Sequence, residues 1–356
     1  MKILISNDGA GAHLYIRLGL ARAFTAAGHE CVIWDIHKKP VFDAFDEFEP
    51  DIFFGQTYNM NRALATAIYE RPHMKVIMKA ADWGPLTDPI DTDKYPVVKV
   101  SKKEKRLVLD LYNKCRKPDY LHIYYHPDWI EQTHGGWINA GIPVHSHMNA
   151  ADIIEYTNGT ELPEFRSDVT FVGGYWPYKA QILDKWMVPL AKEQKARVKI
   201  FGGGDWPSRS YCGSIDNQLV RDALRSATVC PNLHEPHSQD FGYDINERTF
   251  KLLSNKCFVV SDSVEGAKKL FHQDEVAFAS NPEEFKELVY HYVQYPDERL
   301  GFIHRGYNLV MDKHTYFNRA ADIFQKLGFQ IESQAVLDKL DELRKRIENE
   351  NTGNWR

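Results

Sequence analysis

The chain has 356 residues, 43% of them hydrophobic and 26% charged, with a formal net charge of −5. That length exceeds one small core and fits two domains, and the balance excludes a largely disordered chain. The opening Met1-Lys2-Ile3-Leu4-Ile5-Ser6 is too short an apolar run for a signal peptide or a membrane span, so a cytoplasmic protein is expected. Five scattered cysteines (Cys31, Cys115, Cys212, Cys230 and Cys257) form no CxxC pair. They suit reduced thiols in cores better than disulfides, and no metal site is expected.

Residues 1–150 alternate strand and helix patterns. Strand Ile3–Ser6 runs into Asn7-Asp8-Gly9-Ala10-Gly11-Ala12-His13, and a helix follows from about Leu14 to Ala27, closed by Gly28. Strands at Cys31–Trp34 and Ile52–Phe54, a helix near Asn61–Tyr69, strands at Val76–Met78 and Val97–Val100, a helix near Lys102–Asn113 and a strand at Leu121–Tyr125 complete the series. Repeated β-α units predict a doubly wound domain whose ligand crevice lies at the carboxyl ends of the strands.

Two places in this half carry candidate chemistry. The Gly9-x-Gly11 turn lacks the third glycine of a dinucleotide fingerprint, because Leu14 stands there. His13 opens the first helix, either as a base or hydroxyl grip, or as a solvated first-turn histidine. Past the strand Lys75–Met78 comes Lys79-Ala80-Ala81-Asp82-Trp83-Gly84-Pro85. A carboxylate at a strand's carboxyl end is placed for general-base work on an acceptor hydroxyl, or for capping a turn.

From Lys94 to Lys117 nine basic residues stand against Glu104 and Asp110, a local charge of +7. Such a run is either a solvated helix face or a surface for the phosphates of an extended polyanion, with Lys102, Lys103 and Arg106 as its helical contacts. His122, His126, His134, His145 and His147 have no carboxylate at helical ligand spacing and read as non-ligands.

The domain boundary is expected near Asn149-Ala150-Ala151-Asp152, giving an N-terminal domain over 1–152 and a linker over 153–168. A second α/β series fills 169–312. Strand Val169–Val172 ends in Gly173-Gly174-Tyr175-Trp176-Pro177-Tyr178-Lys179, and strand Val198–Phe201 ends in Gly202-Gly203-Gly204-Asp205-Trp206. Either these are tight turns, or backbone approaches a ligand there with Lys179 near its phosphates. The stretch Asp240–Asp262 then reads as a loop with Gly242 and Asn246, a helix from about Glu247 to Ser254 and the strand Cys257–Ser261. A loop that opens a helix offers unpaired N–H groups, and Arg248 in the first turn brings a bidentate fork, so this turn is a candidate diphosphate grip. Helices near Pro282–Val293, Asn318–Leu327 and Ser333–Asn351 end the chain. Residues 313–356 are expected to pack back on the N-terminal domain through Val336, Leu340, Leu343 and Ile347.

Taken in order, Phe171-Val172-Gly173-Gly174, Ile200-Phe201-Gly202 with Trp206, Asn232-Leu233-His234, Asn246-x-Arg248-Thr249-Phe250 and His314-Thr315-Tyr316-x-x-Arg319-Ala320 resemble the CgeB-type glycosyltransferases, a GT-B family. Gly28-His29-Glu30 and Ala150-Ala151-Asp152 extend the likeness more loosely. The resemblance implies two facing Rossmann-like domains, the second holding a nucleotide-diphosphate sugar, as a UDP-sugar, and the first an acceptor such as a modified DNA base or a glycan. It implies that Gly174, Lys179 and Arg248 face the diphosphate, while Asn246, Thr249 and Phe250 shape the sugar and nucleoside pocket; Gly173 and Gly203 are expected to bind the donor with them. More distantly the chain is similar to the phage DNA beta-glucosyltransferases, in which the catalytic carboxylate falls at Asp82. Gly9, Gly11 and Trp83, next to His13 and Asp82 in the chain, are expected on the acceptor side. One departure stands out: Lys251 occupies the place of the family's ribose-binding glutamate, and a lysine accepts no hydrogen bonds. Either Glu247, one turn earlier, takes that task or the donor is bound differently.

The expected reaction is therefore metal-independent glycosyl transfer. Arg248, Lys179 and helix-terminal N–H groups would stabilise the leaving phosphate, and Asp82, with His13 as rival, would deprotonate the acceptor. A catalytically silent sugar-nucleotide-binding module and, more remotely, a nicotinamide-dependent oxidoreductase are the alternatives.

Overall fold

The computed structural model describes residues 1–9, 11–98 and 102–350, with the side chains of residues 12 and 102–104 outside that description. The chain divides into two units. The first comprises Met1–Met148 and Phe317–Leu340, the second Asn149–Tyr316 and the chain from Asp341.

Short β-branched and aromatic runs form the sheet of the first unit, and amphipathic segments between them form its helices. In chain order these are β1 (Lys2–Asn7), α1 (Ala12–Ala26), β2 (Glu30–Asp35), α2 (Val41–Phe48), β3 (Ile52–Gln56), α3 (Arg62–Tyr69), β4 (Lys75–Lys79), α4 (Lys102–Lys114), β5 (Tyr120–Ile123), α5 (Ile130–Asn139) and β6 (Val144–Ser146). All pairings are parallel, in the order β2-β1-β3-β4-β5-β6. The chain leaves β1 toward β2 on one side and returns to β3 on the other, so β1 and β3 flank the switch point of the sheet.

The second unit repeats the plan with β7 (Ser167–Val172), α6 (Pro177–Lys192), β8 (Val198–Phe201), α7 (Asn217–Arg225), β9 (Ala227–Asn232), α8 (Pro236–Phe241), α9 (Glu247–Ser254), β10 (Val259–Asp262), α10 (Glu265–Leu270), β11 (Ala277–Ala279), α11 (Pro282–Gln294) and α12 (Pro296–Lys313). Its parallel order is β11-β10-β9-β7-β8, which puts the switch point between β7 and β9. The helices α13 (Tyr316–Lys326) and α14 (Gln330–Glu350) follow.

Most predicted elements form within a residue or two of their expected bounds, and the differences have local causes. Val97 and Val98 make no strand: they sit in a turn after Pro96, where the Val98 N–H bonds to the Tyr95 carbonyl and the Val98 side chain is buried. The remainder of that predicted strand, residues 99–100, lies outside the described residues. The helix α12 went unrecognised although Ile303, Gly306, Tyr307, Val310 and Met311 keep helical spacing and are all buried. Its glycine hides the stripe, yet it is the contact point: a Cβ on Gly306 would lie 2.8 Å from the Leu253 side chain of α9. Residues 153–168 have linker composition but are tied into the second unit. Ile153 and Tyr156 are buried, Gly159 N–H bonds to Asn255 Oδ1, and Thr160 N–H bonds to Asp222 Oδ1.

Residues 317–340 complete the core of the first unit. Phe324 is wholly buried, its ring 5.1 Å from Phe24 and 4.8 Å from His29. Truncating a fully buried phenylalanine leaves a cavity that neighbours fill only in part. Phe324→Ala is expected to lower stability by about 3–5 kcal/mol, read as a denaturant midpoint shift at unchanged slope.

Candidate functional site

The second unit's switch point is closed by one side chain. Arg248, in the first turn of α9, donates from Nε to the Val172 carbonyl at 3.1 Å and from Nη1 to the Leu233 carbonyl at 3.3 Å. These carbonyls end β7 and follow β9, so the guanidinium spans the two strands that flank the switch point. The Phe171 ring lies under it at 4.6 Å. Burial pulls the Arg248 pKa down, opposed by Glu235, Glu247 and Asp262.

Lys179, in the first turn of α6, is the second cation. Burial, then the neighbouring Arg248 charge, push its ammonium down to about 7, with Glu235 and Asp262 opposing. Two cations and two carboxylates thus share the carboxyl ends of β7, β9 and β10. Asp262 is buried and held by His234, whose Nδ1 lies 2.6 Å from Oδ1 and whose backbone N–H bonds to both oxygens, and by Gln239 Nε2 at 2.5 Å. Burial raises the Asp262 pKa, but His234 and Gln239 hold it below the ordinary carboxylate value overall. His234 stood in the sequence motif Asn232-Leu233-His234, but its pairing with Asp262, 28 positions away, had no local signal.

The glycine turns owe their composition first to each other. Gly202 has φ +140 and a Cβ there would meet the Gly173 carbonyl oxygen at 2.1 Å; Gly204, at φ +87, would meet that of Tyr175 at 2.0 Å. A Cβ on Gly173 would lie 2.7 Å from Arg248 Nη2. A Cβ on Gly203 would meet nothing within 4 Å, and one on Gly174 only the Gly203 carbonyl at 3.7 Å. Backbone clash and positive φ therefore explain Gly202 and Gly204, Gly173 makes room for the guanidinium, and Gly174 and Gly203 have no such internal reason.

Along α9 the predicted pocket residues separate. Asn246 is the N-cap, accepting from the Thr249 N–H at 3.2 Å and donating to the Leu233 carbonyl at 3.1 Å. Thr249 and Phe250 were expected to shape the sugar and nucleoside pocket, but both are core residues. Thr249 accepts from Asn232 Nδ2 at 3.0 Å, and Phe250 packs on Phe271 and His314. Helical geometry explains this, since residues 249 and 250 face inward when 248 faces the strand ends. Glu247 and Lys251 pair at 3.3 Å across one turn, with the Lys251 ammonium 3.9 Å from the Tyr156 ring centre. Glu247 Oε1 is buried and makes no hydrogen bond among the described residues.

In the first unit, Asp82 follows the carboxyl end of β4 and is 4% exposed, with His134 Nε2 3.9 Å from its Oδ1. Its loop is locked on α5: the Trp83 N–H bonds to the Thr133 carbonyl, and a Cβ on Gly84 would strike the Gln132 carbonyl oxygen at 2.3 Å. Burial pushes the His134 pKa down to about 3. Trp83 spends its ring on packing, edge-on to Trp137 at 4.9 Å and beneath Lys105 at 5.8 Å. His13 is exposed in the first turn of α1, after Gly11 at φ +83, and Gly9 is exposed too.

Part of the basic run around α4 is engaged within the fold. Lys105 is buried against Asp88 at 2.9 Å, Arg116 donates to the Arg71 and Met74 carbonyls, and Lys117 donates to the Ala140 carbonyl. Arg106 is exposed, while the side chains of Lys102 and Lys103 lie outside the described residues. His122, His134 and His147 are buried, with pKa values lowered by burial. Among the described residues no three His, Cys, Asp or Glu side chains gather as a metal site, and no helix is long and apolar enough to cross a membrane.

Residues 180–325 match the family model described as glycosyl transferase-like. No curated protein sequence matches the chain. Among solved structures, the chain is similar to T4 phage BGT in complex with UDP-glucose, at 13% identity and TM-score 0.56, covering 93% of this chain and 99% of that one. It is similar to Anabaena Alr3699/HepE in complex with UDP-glucose, at 11% identity and TM-score 0.61, covering 92% and 99%. Sucrose-phosphate synthase from Thermosynechococcus elongatus aligns at 10% identity and TM-score 0.60, covering 91% and 97%. The fold is GT-B: two parallel-sheet α/β units of the kind these enzymes share.

The two kinds of glycine can be separated by stability. Gly202→Ala is expected to cost about 2–3 kcal/mol in a thermal or denaturant melt, from clash and strained φ together. Gly203→Ala should stay within about 0.5 kcal/mol of wild type.

Proposed function

We propose that this chain is a glycosyltransferase that moves a sugar from a nucleotide-diphosphate sugar, a UDP-sugar first among them, to an acceptor hydroxyl. The carrying observation is the Arg248 guanidinium across the β7 and β9 strand ends with Lys179 beside it, inside the stretch that matches the glycosyl transferase-like model. The UDP-glucose complexes of T4 phage BGT and of HepE support the donor class. The order of motifs from Phe171 to Ala320 favours the CgeB type within the GT-B enzymes.

In this reading Arg248 and Lys179 neutralise the diphosphate as the glycosidic bond to it breaks, and the Gly174 and Gly203 backbone lets it approach. Glu247, its charge balanced by Lys251, offers its free Oε1 to a ribose hydroxyl. Asp82, buried just past the end of β4, takes the proton of the attacking hydroxyl. His13, exposed at the start of α1, is the rival base. The two cations supply charge that a divalent ion would otherwise bring. A structure of T4 phage BGT holds UDP together with Mn2+, so metal independence calls for direct test.

Donor binding should carry a pH signature. The diphosphate of a nucleotide-sugar is a diester with no proton to lose near neutrality, whereas Lys179 titrates at about 7 in the free protein. A bound diphosphate favours the ammonium and raises its pKa. Affinity is then fully present below pH 7 and falls as pH rises above it, by at most ~tenfold per pH unit. Isothermal titration of UDP-glucose from pH 6 to 9 should show this step, at ~pH 7 on the lysine assignment, and Lys179→Met should abolish it.

Turnover is tested by nucleotide-diphosphate release from UDP-, GDP- and dTDP-sugars in EDTA, with free saccharides or hydroxymethylated duplex DNA as acceptor. Asp82→Asn is expected to cut release by ~10²-fold or more with donor affinity unchanged. Release that needs Mn2+ would refute metal independence. Donor binding without release under any condition would favour the silent-module reading.

A further inference from the structure

Three polar side chains that the proposed reaction leaves unused join in the second unit: Tyr178 in the first turn of α6, His237 in α8 and Asp244 in the loop between α8 and α9. Tyr178 and His237 are 5% and 6% exposed, and the Asp244 side chain 22%. His237 Nε2 lies 3.1 Å from Asp244 Oδ2, and His237 Nδ1 lies 3.1 Å from the Tyr178 hydroxyl oxygen. That same oxygen accepts the His237 backbone N–H, also at 3.1 Å. An ionised carboxylate only accepts, so Nε2 carries a proton; in the neutral ring Nδ1 then accepts the Tyr178 hydroxyl proton. The two rings lie 20° from parallel with centres 6.1 Å apart.

Each member adjoins a charged residue of the donor site. Tyr178 directly precedes Lys179, while Asp244 stands two residues before Asn246, the N-cap of α9, and four before Arg248. His237 Nδ1 lies 4.0 Å from Oε2 of Glu235, a carboxylate that opposes the downward pKa shift of both cations. Arg248 is tied to the Val172 and Leu233 carbonyls, but among the described residues no hydrogen bond or ion pair holds the Lys179 ammonium. Nor does Trp176, at the N-cap of α6, make a side-chain capping bond. Lys179 therefore takes its place from the start of α6, and the bonds that fix that start are those of the Tyr178 hydroxyl.

We infer that His237 is a positioning residue of the donor site: by joining the Tyr178 hydroxyl to Asp244 it fixes the start of α6 against the start of α9, and so the spacing of Lys179 and Arg248 across a diphosphate. Charge-assisted hydrogen bonds are strong only at short range, so the grip of two cations on one diphosphate depends on their separation. Without an anion between them, like charges are driven apart, and the clamp opposes that movement. Apolar side chains of the same volume would pack α6 on α8 with no preferred register. A phenol, an imidazole and a carboxylate satisfy one another in one register only. The sugar nucleotide as the natural ligand rests on the transferase reading; the clamp itself concerns any diphosphate.

The test is isothermal titration of the full chain with UDP-glucose from pH 6 to 9, and with inorganic pyrophosphate at neutral pH, for wild type, His237→Ala, His237→Gln and Tyr178→Phe, each first checked for folding by circular dichroism. His237→Ala is expected to weaken both ligands about tenfold or more, the loss of one well-placed charge-assisted hydrogen bond. Tyr178→Phe keeps the ring and removes only the hydroxyl; it should weaken them about threefold, and it decides the matter if the alanine variant does not fold. In both variants the pH step in UDP-glucose affinity should move upward. Burial and Arg248 hold the Lys179 pKa down, with Glu235 and Asp262 opposing, and a loosened start of α6 relieves the first two. His237→Gln retains an N–H for Asp244 and should recover part of the affinity. Wild-type affinity in the folded variants, or lost affinity with the step still at its wild-type pH, would overturn the inference. A chain that binds pyrophosphate, loses it in both variants and takes no nucleotide-sugar would overturn the transferase reading and leave the clamp standing; one that binds neither ligand would overturn both.

Discussion

A guanidinium held between two backbone carbonyls is the constraint on which the second unit turns. Arg248 uses its Nε and Nη1 donors to tie the end of β7 to the residue after β9. A buried cation without partners would be expensive, and here the carbonyls, the Phe171 face and the carboxylates of Glu235, Glu247 and Asp262 offset that cost. The arrangement positions a charge without using all its donors. It also gives Gly173 a role, since a Cβ there would crowd Nη2 and push the guanidinium aside.

From that contact the neighbouring features follow. The β7 and β8 turns must run so close that Gly202 and Gly204 almost touch the backbone of residues 173–175. Asn246 caps α9 and reaches the same Leu233 carbonyl that Arg248 uses, so the helix start is tied to the strand end twice. Asp262, gripped by His234 and Gln239, sets the third wall. Lys179 enters this half-neutralised group with a pKa near neutrality, which makes its charge responsive to whatever anion arrives.

The first unit solves the same topological problem with the charges reversed in depth. There the guanidinium of Arg17 is the buried support and the carboxylate of Asp8 the exposed group. The two switch points thus differ in the charge nearest solvent, although both sheets are parallel and similarly wound.

Hydrophobic periodicity and turn chemistry were enough to read the doubly wound plan, the helix Glu247–Ser254 to the residue, and the stripe Val336, Leu340, Leu343 and Ile347, all buried. These are local signals, set by spacing of three or four along a helix and by alternation or short apolar runs in strands. The same means singled out Arg248 and Lys179, because helix starts after strand ends are recognisable in the chain. Tertiary structure decided what each neighbour does. It sent Thr249 and Phe250 to the core, engaged Lys251 with Glu247, spent Lys105, Arg116 and Lys117 on the fold, and joined His234 to Asp262 across 28 positions. It also left Asp8 partly exposed beside a buried Arg17. A sequence specifies which side chains are available at each strand end. Depth, pairing and the order of charges toward solvent depend on strands brought together from distant parts of the chain, and only the folded sheet supplies that adjacency.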